Sequence, residues 1–518
     1  MPSDDLFAER RRKVDELGAR GIPAYGVDFA PTATIEEARR QLTAYEAEHP
    51  DADADAPDRP VVAVAGRVMQ LRDLGGAAFA HVEDESGRMQ MWFRADRAGD
   101  AHAMVAMLDL GDIVGIRGPV TRTRRGEPSV LVDSVTLLVK ALHPPPEKFH
   151  GLQDQETRYR KRYLDLLSNA SQRRHFATRA RVIRALRATL EQREFLEVET
   201  PILQPIPGGG AAVPYRTHWN ALHTDVFLRI AIELHLKRLL VGGYARVYEI
   251  GRVFRNEGLS PRHNPEFTML EAYQAYATYD DMRELTEALI TAAANAAGPQ
   301  VVDQDDEGGS APCEDPLLRT VLGRSLDLRP PYRTETMVNL VLEHTGIDAR
   351  AEWDGMHAAA ARIGVEVPAD RGPGGVLLEI YEQRVEGELW DPTFVLDYPE
   401  EVSPLARRRR DDPRFVERFE LIAAGRELAN AFSELNDPID QRQRFEEQAR
   451  LRAAGDAEIP PIDEDFLEAI EVGMPPAGGL GIGVDRLMML LTGVATIRDV
   501  LLFPTMRPQQ RVDGGSDA

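Results

Sequence analysis

The sequence predicts an α+β protein in which a small all-β barrel precedes a larger domain of mixed strands and helices. Short apolar runs such as VVAVAGRVM recur at similar spacing from residue 60 to about residue 139. The proline-rich stretch HPPPEKFHG then marks a stiff linker, and helical and strand patterns follow it. We therefore predict a helical extension with an acidic linker at 1–58, the barrel at 59–142, a linker at 143–152, and the larger domain at 153–518 with an inserted, mostly helical subdomain at about 300–395.

Composition narrows the possible partners and compartment. The 518 residues include 62 Lys+Arg against 85 Asp+Glu, a formal net charge of -23, so no global field draws the molecule to nucleic acid. We expect no DNA partner, and any RNA contact must come from local basic patches. No apolar run approaches a membrane span and the start lacks a signal peptide core, so we expect a cytoplasmic protein without a membrane partner. The single cysteine, Cys313, allows neither an intrachain disulfide nor a zinc site of several thiolates.

The N-terminal extension contains a basic run. Residues 5–19 place their apolar side chains near one side of a helix, and Arg10–Lys13 lie largely off that side. We interpret the basic run as a solvated helix face rather than an RNA-binding surface. The tract DADADAPD at 51–58 is typical of an acidic linker.

The barrel pattern suggests an outer face for nucleic-acid bases. A turn around residues 85–87 precedes a strand in which apolar and polar side chains alternate. Phe79, Arg67 and Gln90 could lie outside, where an aromatic platform suits stacked single-stranded bases. The pattern alone nevertheless favours Phe79 as a core residue.

The stretch VFRNEGLSPRHNPEFTMLEAY, residues 253–273, mixes both signs of charge. We predict a strand, a loop and a returning strand, with Arg255 and Glu257 together at the end of the first strand. Residues of equal parity share a strand face, so Phe267, Glu271 and Tyr273 should point the same way. A solvated face has no use for two aromatic rings beside a carboxylate. This face therefore resembles a pocket floor.

A second cluster lies in FELIAAGRELANAFSELND, residues 419–437. A tight turn near 423–425 should bring Glu420 and Glu427 nearly opposite each other. Facing carboxylates repel, and a divalent cation, Mg²⁺ for oxygen ligands, would relieve the repulsion. An exposed pair tolerated in solvent explains the pattern equally well.

The third piece is AGGLGIGVDRLMMLLTG, which we predict as a glycine-rich turn entering an apolar helix with Arg486 in its first turn. Glycines allow close backbone approach and a helix start favours anions. The signal is weak by itself. The sequence lacks the P-loop ending and the GxGxxG spacing of the common nucleotide motifs.

Together these pieces resemble the class II aminoacyl-tRNA synthetases, and among them the bacterial lysyl-tRNA synthetases. FLEVETPIL is similar to the first signature motif of that family, FRNEG with HNPEFTMLEAY to the second, and GLGIGVDR to the third. HGLQDQETRYRKRYLDL, LKRLLVGG, EVSPLAR and FSELND match between the motifs. The similarity runs from about residue 60 to residue 506.

The resemblance implies an antiparallel-sheet catalytic domain that dimerises through the first motif and an N-terminal OB-fold that binds the tRNA anticodon. It implies activation of L-lysine by ATP with Mg²⁺, followed by transfer of the lysyl group to lysine tRNA. The expected partners are therefore ATP, L-lysine, lysine tRNA and a second copy of the chain.

The resemblance also implies roles for individual residues. Arg255, His263 and Arg486 would be catalytic, with Arg255 at the α-phosphate and the lysine carboxylate and the other two at the outer phosphates. ATP would also contact Glu257, Asn264 and Phe267, and the metal would be held by Glu420 and Glu427. The lysine site would comprise Gly209, Glu233 at the α-amino group, Arg255, Asn430 at the carboxylate, Phe432, and Glu271, Tyr273 and Glu434 around the ε-ammonium. The anticodon would meet Arg67, Phe79, Gln90 and Glu127, which reverses the preference for Phe79 as core.

Four positions depart from the family pattern. Ile232 replaces the proline of RIAPEL, Ala429 and Ala431 replace the glycines of GNGFSEL, and Val213 replaces an arginine. We predict that the catalytic machinery is retained and that these four changes bear on the shape of the amino-acid pocket. The alternatives are a paralogue that resists a lysine-site inhibitor or uses a lysine analogue, and a non-catalytic tRNA-binding relative. An aspartyl or asparaginyl enzyme fits poorly, because this pocket offers carboxylates rather than cations.

Overall fold

The computed structural model describes residues 4–26, 28–146, 152, 154–300, 314–453 and 459–509. Cys313, most of the acidic stretch before Asp315 and half of the predicted linker lie outside these residues. The chain divides into two compact units, one formed by residues 1–158 with 163–168 and the other by residues 159–162 with 169–518. In the described part of the chain, no helix is both long and apolar enough to cross a membrane.

The first unit contains a six-stranded barrel, with two helices before it in the chain and a short helix between its third and fourth strands. Its elements are α1 (Asp4–Ala19), α2 (Ile35–Glu48), β1 (Val61–Asp73), β2 (Ala77–Glu83), β3 (Arg88–Arg94), α3 (Gly99–Met104), β4 (Ile113–Arg122), β5 (Pro128–Leu131) and β6 (Ser134–Val139). The sheet closes because β1 pairs with both β2 and β4, while β5 joins β3 to β4. Every second residue of β3 faces inward, and Met89, Met91 and Phe93 are buried as predicted.

The predicted solvated face of the N-terminal extension is confirmed for Arg11 and Arg12, which are exposed, but not for Arg10. Arg10 is buried, and its Nη1 donates to the carbonyl oxygen of Ala141 at 2.7 Å. The DADADAPD tract contains no helix or strand, but hydrogen bonds hold it. Arg59 Nε donates to the Asp53 carbonyl oxygen at 2.8 Å, and Tyr45 donates its hydroxyl proton to Asp58 at 2.7 Å. Hydrogen bonds to the barrel unit thus hold the acidic tract in place.

The second unit is built around one large sheet with helices. Two short helices, α4 (Gln155–Arg160) and α5 (Arg162–Ser168), come before it in the chain, and most of their residues belong to the first unit. The helices of the second unit are α6 (Ala170–Glu191), α7 (Glu233–Val241), α8 (Tyr279–Ala297), α9 (Met337–Thr345), α10 (Met356–Arg362), α11 (Pro373–Arg384), α12 (Pro438–Ala453), α13 (Glu464–Gly473), α14 (Val484–Thr492) and α15 (Ile497–Val500). Its strands are β7 (Leu196–Glu197), β8 (Leu203–Gln204), β9 (Arg216–Trp219), β10 (Thr224–Leu228), β11 (Arg246–Phe254), β12 (Glu266–Ala275), β13 (Leu318–Val321), β14 (Arg324–Asp327), β15 (Arg333–Thr336), β16 (Thr393–Leu396), β17 (Arg418–Ile422), β18 (Glu427–Ser433) and β19 (Ala477–Gly483).

The main sheet has eight strands in the order β15-β16-β17-β18-β19-β12-β11-β7. Its central pairs are antiparallel, and only the two edge pairs are parallel. The segment at about 300–395 is not purely helical. It supplies α9, α10 and α11, but β15 and β16 extend the main sheet and β13 pairs with β14.

One face of the sheet packs on helices α6, α8 and α14. The sequence ATRARVIRALRATLEQREF predicts an apolar helical stripe of Val182, Ile183, Leu186 and Leu190. In α6 Ile183 packs against this core, and the other three are fully buried in it. Strands β12, β18 and β19 place alternate residues, including Leu270, Ala431 and Leu480, in the same core. The remaining alternate residues of these strands face the opposite side of the sheet, which carries the cavity described below.

Two strand predictions need correction. The glycine-rich segment is the central strand β19 rather than a turn, and it pairs with β12 and β18. A run of glycines has no apolar alternation, so its strand character was not visible in the sequence. The segment FLEVETPIL, which the sequence pattern predicts as a strand ending near Pro201, forms only β7, two residues that pair with β11.

Candidate active site

A cavity of about 770 Å³ lies in the second unit over the exposed face of the sheet. Residues from several distant segments of the chain line it, and most of the predicted site residues are among them. They are Gly209, Glu233, Arg255, Glu257, His263, Asn264, Phe267, Glu271, Tyr273, Glu420, Glu427, Asn430, Phe432 and Arg486.

Strands β11 and β12 form the predicted strand-loop-strand unit at one side of the cavity. Val253 pairs with Phe267 and Glu249 with Glu271, so the parity expected for Phe267, Glu271 and Tyr273 is confirmed. Arg255 lies just beyond β11, with its guanidinium carbon 5.3 Å from the centroid of the Phe267 ring. The guanidinium of Arg255 thus lies over the Phe267 ring. An aromatic ring with a cation beside it is suited to binding a nucleobase and the phosphate attached to it.

The loop between these strands brings further polar groups to the cavity. His263 Nδ1 lies 2.8 Å from Ser260 Oγ. Burial, together with the positive charge of Arg486, lowers the pKa of His263. Asn264 is buried, and its side-chain amide donates to the Glu266 carbonyl oxygen at 2.6 Å. Arg486 approaches from the first turn of α14, as predicted.

The β17–β18 hairpin carries the two carboxylates predicted for a metal. Its turn lies at residues 423–426, but the two carboxylates are not directly opposite each other, because Glu427 pairs with Ile422 and Glu420 with Asn430. Arg418 Nη2 contacts Glu420 Oε1 at 2.6 Å, and Arg486 Nη1 contacts Glu427 Oε2 at 2.9 Å. Burial and the charge of Glu427 raise the pKa of Glu420 to about 7. A buried carboxyl group repelled by its neighbour is suited to a cation.

The donor set fits Mg²⁺ bound together with phosphate. Glu420 and Glu427 offer only oxygen donors, which Mg²⁺ prefers, and it commonly uses one or two carboxylates with substrate phosphates and water. In the described residues, no cluster of three or more His, Cys, Asp or Glu side chains could hold a metal without such help.

Acidic residues dominate another part of the cavity. Glu271 is 4% exposed and accepts two hydrogen bonds, from the Ile232 backbone N–H at 3.0 Å and from the Tyr273 hydroxyl at 3.1 Å. Burial and the charge of Glu233 raise its pKa to about 7. Glu233 begins helix α7, and Gly209 leaves room for its side chain, since a Cβ on Gly209 would lie 3.2 Å from the Glu233 Cβ.

Glu434 lies elsewhere than predicted. It is fully buried, does not line the cavity, and its Oε2 contacts the ammonium group of Lys237. Lys237 lies one turn after Glu233 on α7, and its Nζ is 2.5 Å from Glu233 Oε1. The ammonium group of Lys237 therefore forms an ion pair with the Glu434 carboxylate behind the cavity wall. Side chains four residues apart meet on a helix, so the Glu233–Lys237 pair was visible in the sequence, but its contact with Glu434 was not.

The four residues predicted to alter the pocket do not line it. Ala429 and Ala431 are buried in the helix-packed core on the other side of β18, because their parity is opposite to that of Asn430. The Ile232 side chain is buried in a separate apolar cluster and Val213 lies off the cavity. The methyl group of Ala431 therefore does not narrow the cavity. Only the backbone N–H of Ile232 reaches a predicted site residue.

Sequence reasoning also missed Arg418. Its Nε donates to Asn430 Oδ1 at 3.1 Å while Nη2 holds Glu420. Because Oδ1 accepts this bond, the Asn430 amide nitrogen is left to donate elsewhere. Arg418 shares a strand face with Glu420 at a separation of two, and that spacing is the signal that could have found it.

The inserted segment adds carboxylates that were not predicted. Glu379 and Glu382 of α11 line the cavity. Burial and the charges of Glu379 and Glu386 raise the pKa of Glu382 to about 7.

The barrel unit carries the four predicted anticodon residues. Phe79 points outward between the buried Ala78 and Ala80, so it is not a core residue. Its ring stacks on Trp92, with centroids 6.2 Å apart and an angle of 16°. Gln90 lies on the same face and accepts from Ser129 Oγ at 3.0 Å, while Arg67 donates to the Gly111 carbonyl oxygen at 2.7 Å. Glu127 is exposed in the loop before β5, 3.7 Å from His81.

Comparison with known proteins assigns a protein family to each of the two units. A family model for the class II tRNA synthetases (D, K and N) matches residues 154–507, and one for the OB-fold nucleic acid binding domain matches residues 62–138. A lysine–tRNA ligase from Moorella thermoacetica is 49% identical over 98% of this chain and 99% of its own length. The chain belongs to the lysine–tRNA ligase family of class II tRNA synthetases.

Other members of the lysine–tRNA ligase family are similarly close. The relative from Pelotomaculum thermopropionicum is 48% identical over 98% of this chain and 96% of its own length. The relative from Carboxydothermus hydrogenoformans is 47% identical over 98% of this chain and 99% of its own length. The predicted fold class, a class II synthetase domain with an N-terminal OB-fold, is confirmed. Nothing in these matches supports the alternative of a paralogue with an altered pocket.

Proposed function

We propose that this chain activates L-lysine with ATP, forming lysyl-adenylate and pyrophosphate, and transfers the lysyl group to the 3′ end of lysine tRNA. The observation that carries the proposal is one cavity with two chemically different parts. Glu233 and Glu271 are buried in one part, and arginines stand beside an aromatic ring and a carboxylate pair in the other. Such a cavity suits a cationic amino acid next to a nucleoside triphosphate.

The acidic part would bind the amino acid. Glu233 would receive the α-ammonium, and Asn430, oriented by Arg418, would donate its amide N–H to the carboxylate. Glu271 and the Tyr273 hydroxyl would meet the ε-ammonium, with Gly209 and Phe432 shaping the space between. Glu434 would act from behind this wall through Lys237.

The arginine-rich part would bind ATP and stabilise the charge that develops during transfer. The adenine would lie on Phe267 near Glu257 and Asn264, and Arg255 would contact the α-phosphate and the lysine carboxylate. His263 and Arg486 would contact the outer phosphates. Fixed cationic donors stabilise negative charge on phosphate oxygens without reorganising during the reaction. Mg²⁺ held by Glu420 and Glu427 would supply further positive charge there.

The buried carboxylates explain selectivity for a cationic side chain. A neutral side chain such as that of leucine would leave the charge of Glu271 without a cation beside it, and an uncompensated buried charge costs about 3–5 kcal/mol. One methylene distinguishes ligands by only about 1–3 kcal/mol. The charge of the buried carboxylates should therefore discriminate strongly against leucine. The shorter side chain of ornithine should be discriminated against less strongly.

The barrel unit would bind the tRNA anticodon through Phe79, with Arg67, Gln90 and Glu127 around it. The proposal is supported by an outward aromatic pair on a closed barrel of the nucleic-acid-binding OB type. We further propose a cytoplasmic homodimer, as expected from the sequence.

An amino-acid panel in ATP–pyrophosphate exchange tests the proposal. The purified chain should exchange with lysine, weakly with ornithine, and not with leucine or aspartate. Charging of lysine tRNA by the same preparation should follow. Exchange with another amino acid but not with lysine would contradict the proposal.

A further inference from the structure

Lys237 is an ionisable group that the proposed reaction does not use. Its side chain is fully buried on α7, yet its ammonium lies 2.5 Å from Glu233 Oε1 and contacts Glu434 Oε2. Burial opposes its charge, but Glu233 and Glu434 outweigh burial and raise the pKa of Lys237. The ammonium is therefore retained inside the protein.

The group formed by Lys237, its two carboxylate partners and their neighbours is acidic or aromatic. Glu233 comes from α7 and Glu434 follows β18, and these two carboxylates interact with Glu271 and Tyr273 of β12. The Phe432 and Phe466 ring centroids lie 5.4 and 6.0 Å from the ammonium nitrogen. Arg255, beyond β11, is the cation on the cavity side that acts on Glu271.

The charges of this group match a particular kind of ligand. Glu233, Glu271 and Glu434 would carry three negative charges when ionised, and Lys237 offsets one of them. The remaining two equal the charge of the α- and ε-ammonium groups of a diamino acid. Three clustered buried carboxyl groups without a cation would not all ionise, because each disfavours ionisation of the others.

We propose that Lys237 is a positioning residue that neutralises one of the three buried carboxylates, so that the amino-acid pocket accepts a substrate with two ammonium groups. This inference rests on the proposed function. Lys237 acts through Glu233 and Glu434 and does not itself touch the substrate. Its removal should impair lysine binding more than ATP binding, and most of all at low pH, where uncompensated carboxyl groups are protonated.

The test is the pH dependence of lysine use in the full-length Lys237→Met variant. The readout is kcat/KM for lysine and KM for ATP in ATP–pyrophosphate exchange between pH 6 and 9. KM for lysine at neutral pH should rise roughly 100-fold, the scale of breaking a buried ion pair, with little change for ATP. The acid limb of the lysine profile should move to higher pH. A purely structural defect would instead lower activity in parallel at every pH.

Three further variants keep the test decisive. Lys237→Arg retains the positive charge and should keep the acid limb near its wild-type position. The double variant Lys237→Met with Glu434→Gln removes a carboxyl group together with its counter-charge, and should recover part of the lost lysine affinity. Arg238→Met removes a cation from the same helix that pairs with Asp463 instead, and should leave the acid limb in place.

The outcomes separate this inference from the proposed function. Failure of the wild-type protein to use lysine would overturn the proposed function. Wild-type use of lysine, with an unchanged profile in Lys237→Met, would overturn only the role of Lys237. If Lys237→Met does not fold, the arginine and double variants decide. The inference fails if the arginine variant shows a displaced acid limb and the double variant recovers no lysine affinity.

Discussion

The carboxyl group of Glu271 is held by two donors and repelled by one neighbour. The Ile232 N–H and the Tyr273 hydroxyl stabilise its ionised form, while burial and Glu233 raise its pKa to about 7. Below that pH the group is increasingly protonated and has no charge for an ammonium, whereas the lysine side chain stays charged up to about pH 10. Affinity for lysine should therefore fall as the pH drops below 7.

Replacing Ile232 by proline, the residue usual in the family pattern, removes the N–H donor to Glu271. Losing a hydrogen bond to a charged group costs about 1.5–3 kcal/mol, so the pKa of Glu271 should rise by roughly one unit or more. We expect the acid limb of kcat/KM for lysine to shift upward by that amount in pH-dependent exchange assays.

The matched control is Ile232→Val, which keeps both the N–H and a buried β-branched side chain. Its profile should superimpose on that of the wild-type protein. If proline and valine shift the acid limb equally, the backbone hydrogen bond does not set the ionisation of Glu271.

Among the secondary-structure elements, those with a regular alternation of side chains along the chain could be predicted from the sequence. The strand-loop-strand unit around Phe267 was predictable because alternation of side chains is a short-range property. The glycine-rich strand β19 could not be predicted in this way, because a run of glycines shows no alternation of apolar and polar side chains. The register that pairs Glu420 with Asn430, and the meeting of Lys237 with Glu434 from distant segments, depend on tertiary packing. The same parity rule, applied to β18, would have shown that Ala429 and Ala431 face away from Asn430.

The glycine at position 479 of β19 makes room for the acidic wall. A Cβ there would lie 2.5 Å from Tyr273 Cε1 and closer still to Glu434 Oε1. We expect Gly479→Ala to displace one of these groups and to raise KM for lysine by roughly 5- to 150-fold, since overpacking costs about 1–3 kcal/mol. Exchange kinetics with lysine and ATP varied separately would measure this.

Gly481→Ala is the comparison within the same strand. Its added Cβ would meet nothing nearer than the Asn430 carbonyl oxygen at 3.8 Å. KM for lysine should therefore change much less than in Gly479→Ala. If the two alanine variants raise KM for lysine equally, the glycines of β19 matter for the conformation of the strand backbone and not for the space that Gly479 leaves beside Tyr273 and Glu434.

Across the whole molecule, the two units have separate apolar cores. The sequence predicted an all-β segment before a mixed one because strand spacing and a proline-rich stretch are visible without tertiary information. Chemistry at the cavity and binding on the barrel should consequently respond to different substitutions.

Phe79→Ala tests this separation. Loss of one stacking platform costs about 1–3 kcal/mol, so KM for tRNA in the charging reaction should rise roughly 5- to 150-fold. Lysine-dependent ATP–pyrophosphate exchange, which needs no tRNA, should be unchanged and serves as the control. A parallel fall in exchange would show that Phe79 supports the fold and not tRNA binding.

Strand β18 places the cavity on one side and the helix-packed core on the other. Deleting a single residue within it would turn each later side chain to the opposite face, burying Asn430 and Phe432 among leucines and exposing small alanines to the ligand. Evolution of this hairpin should thus tolerate exchange of one small apolar residue for another far better than any change in its length.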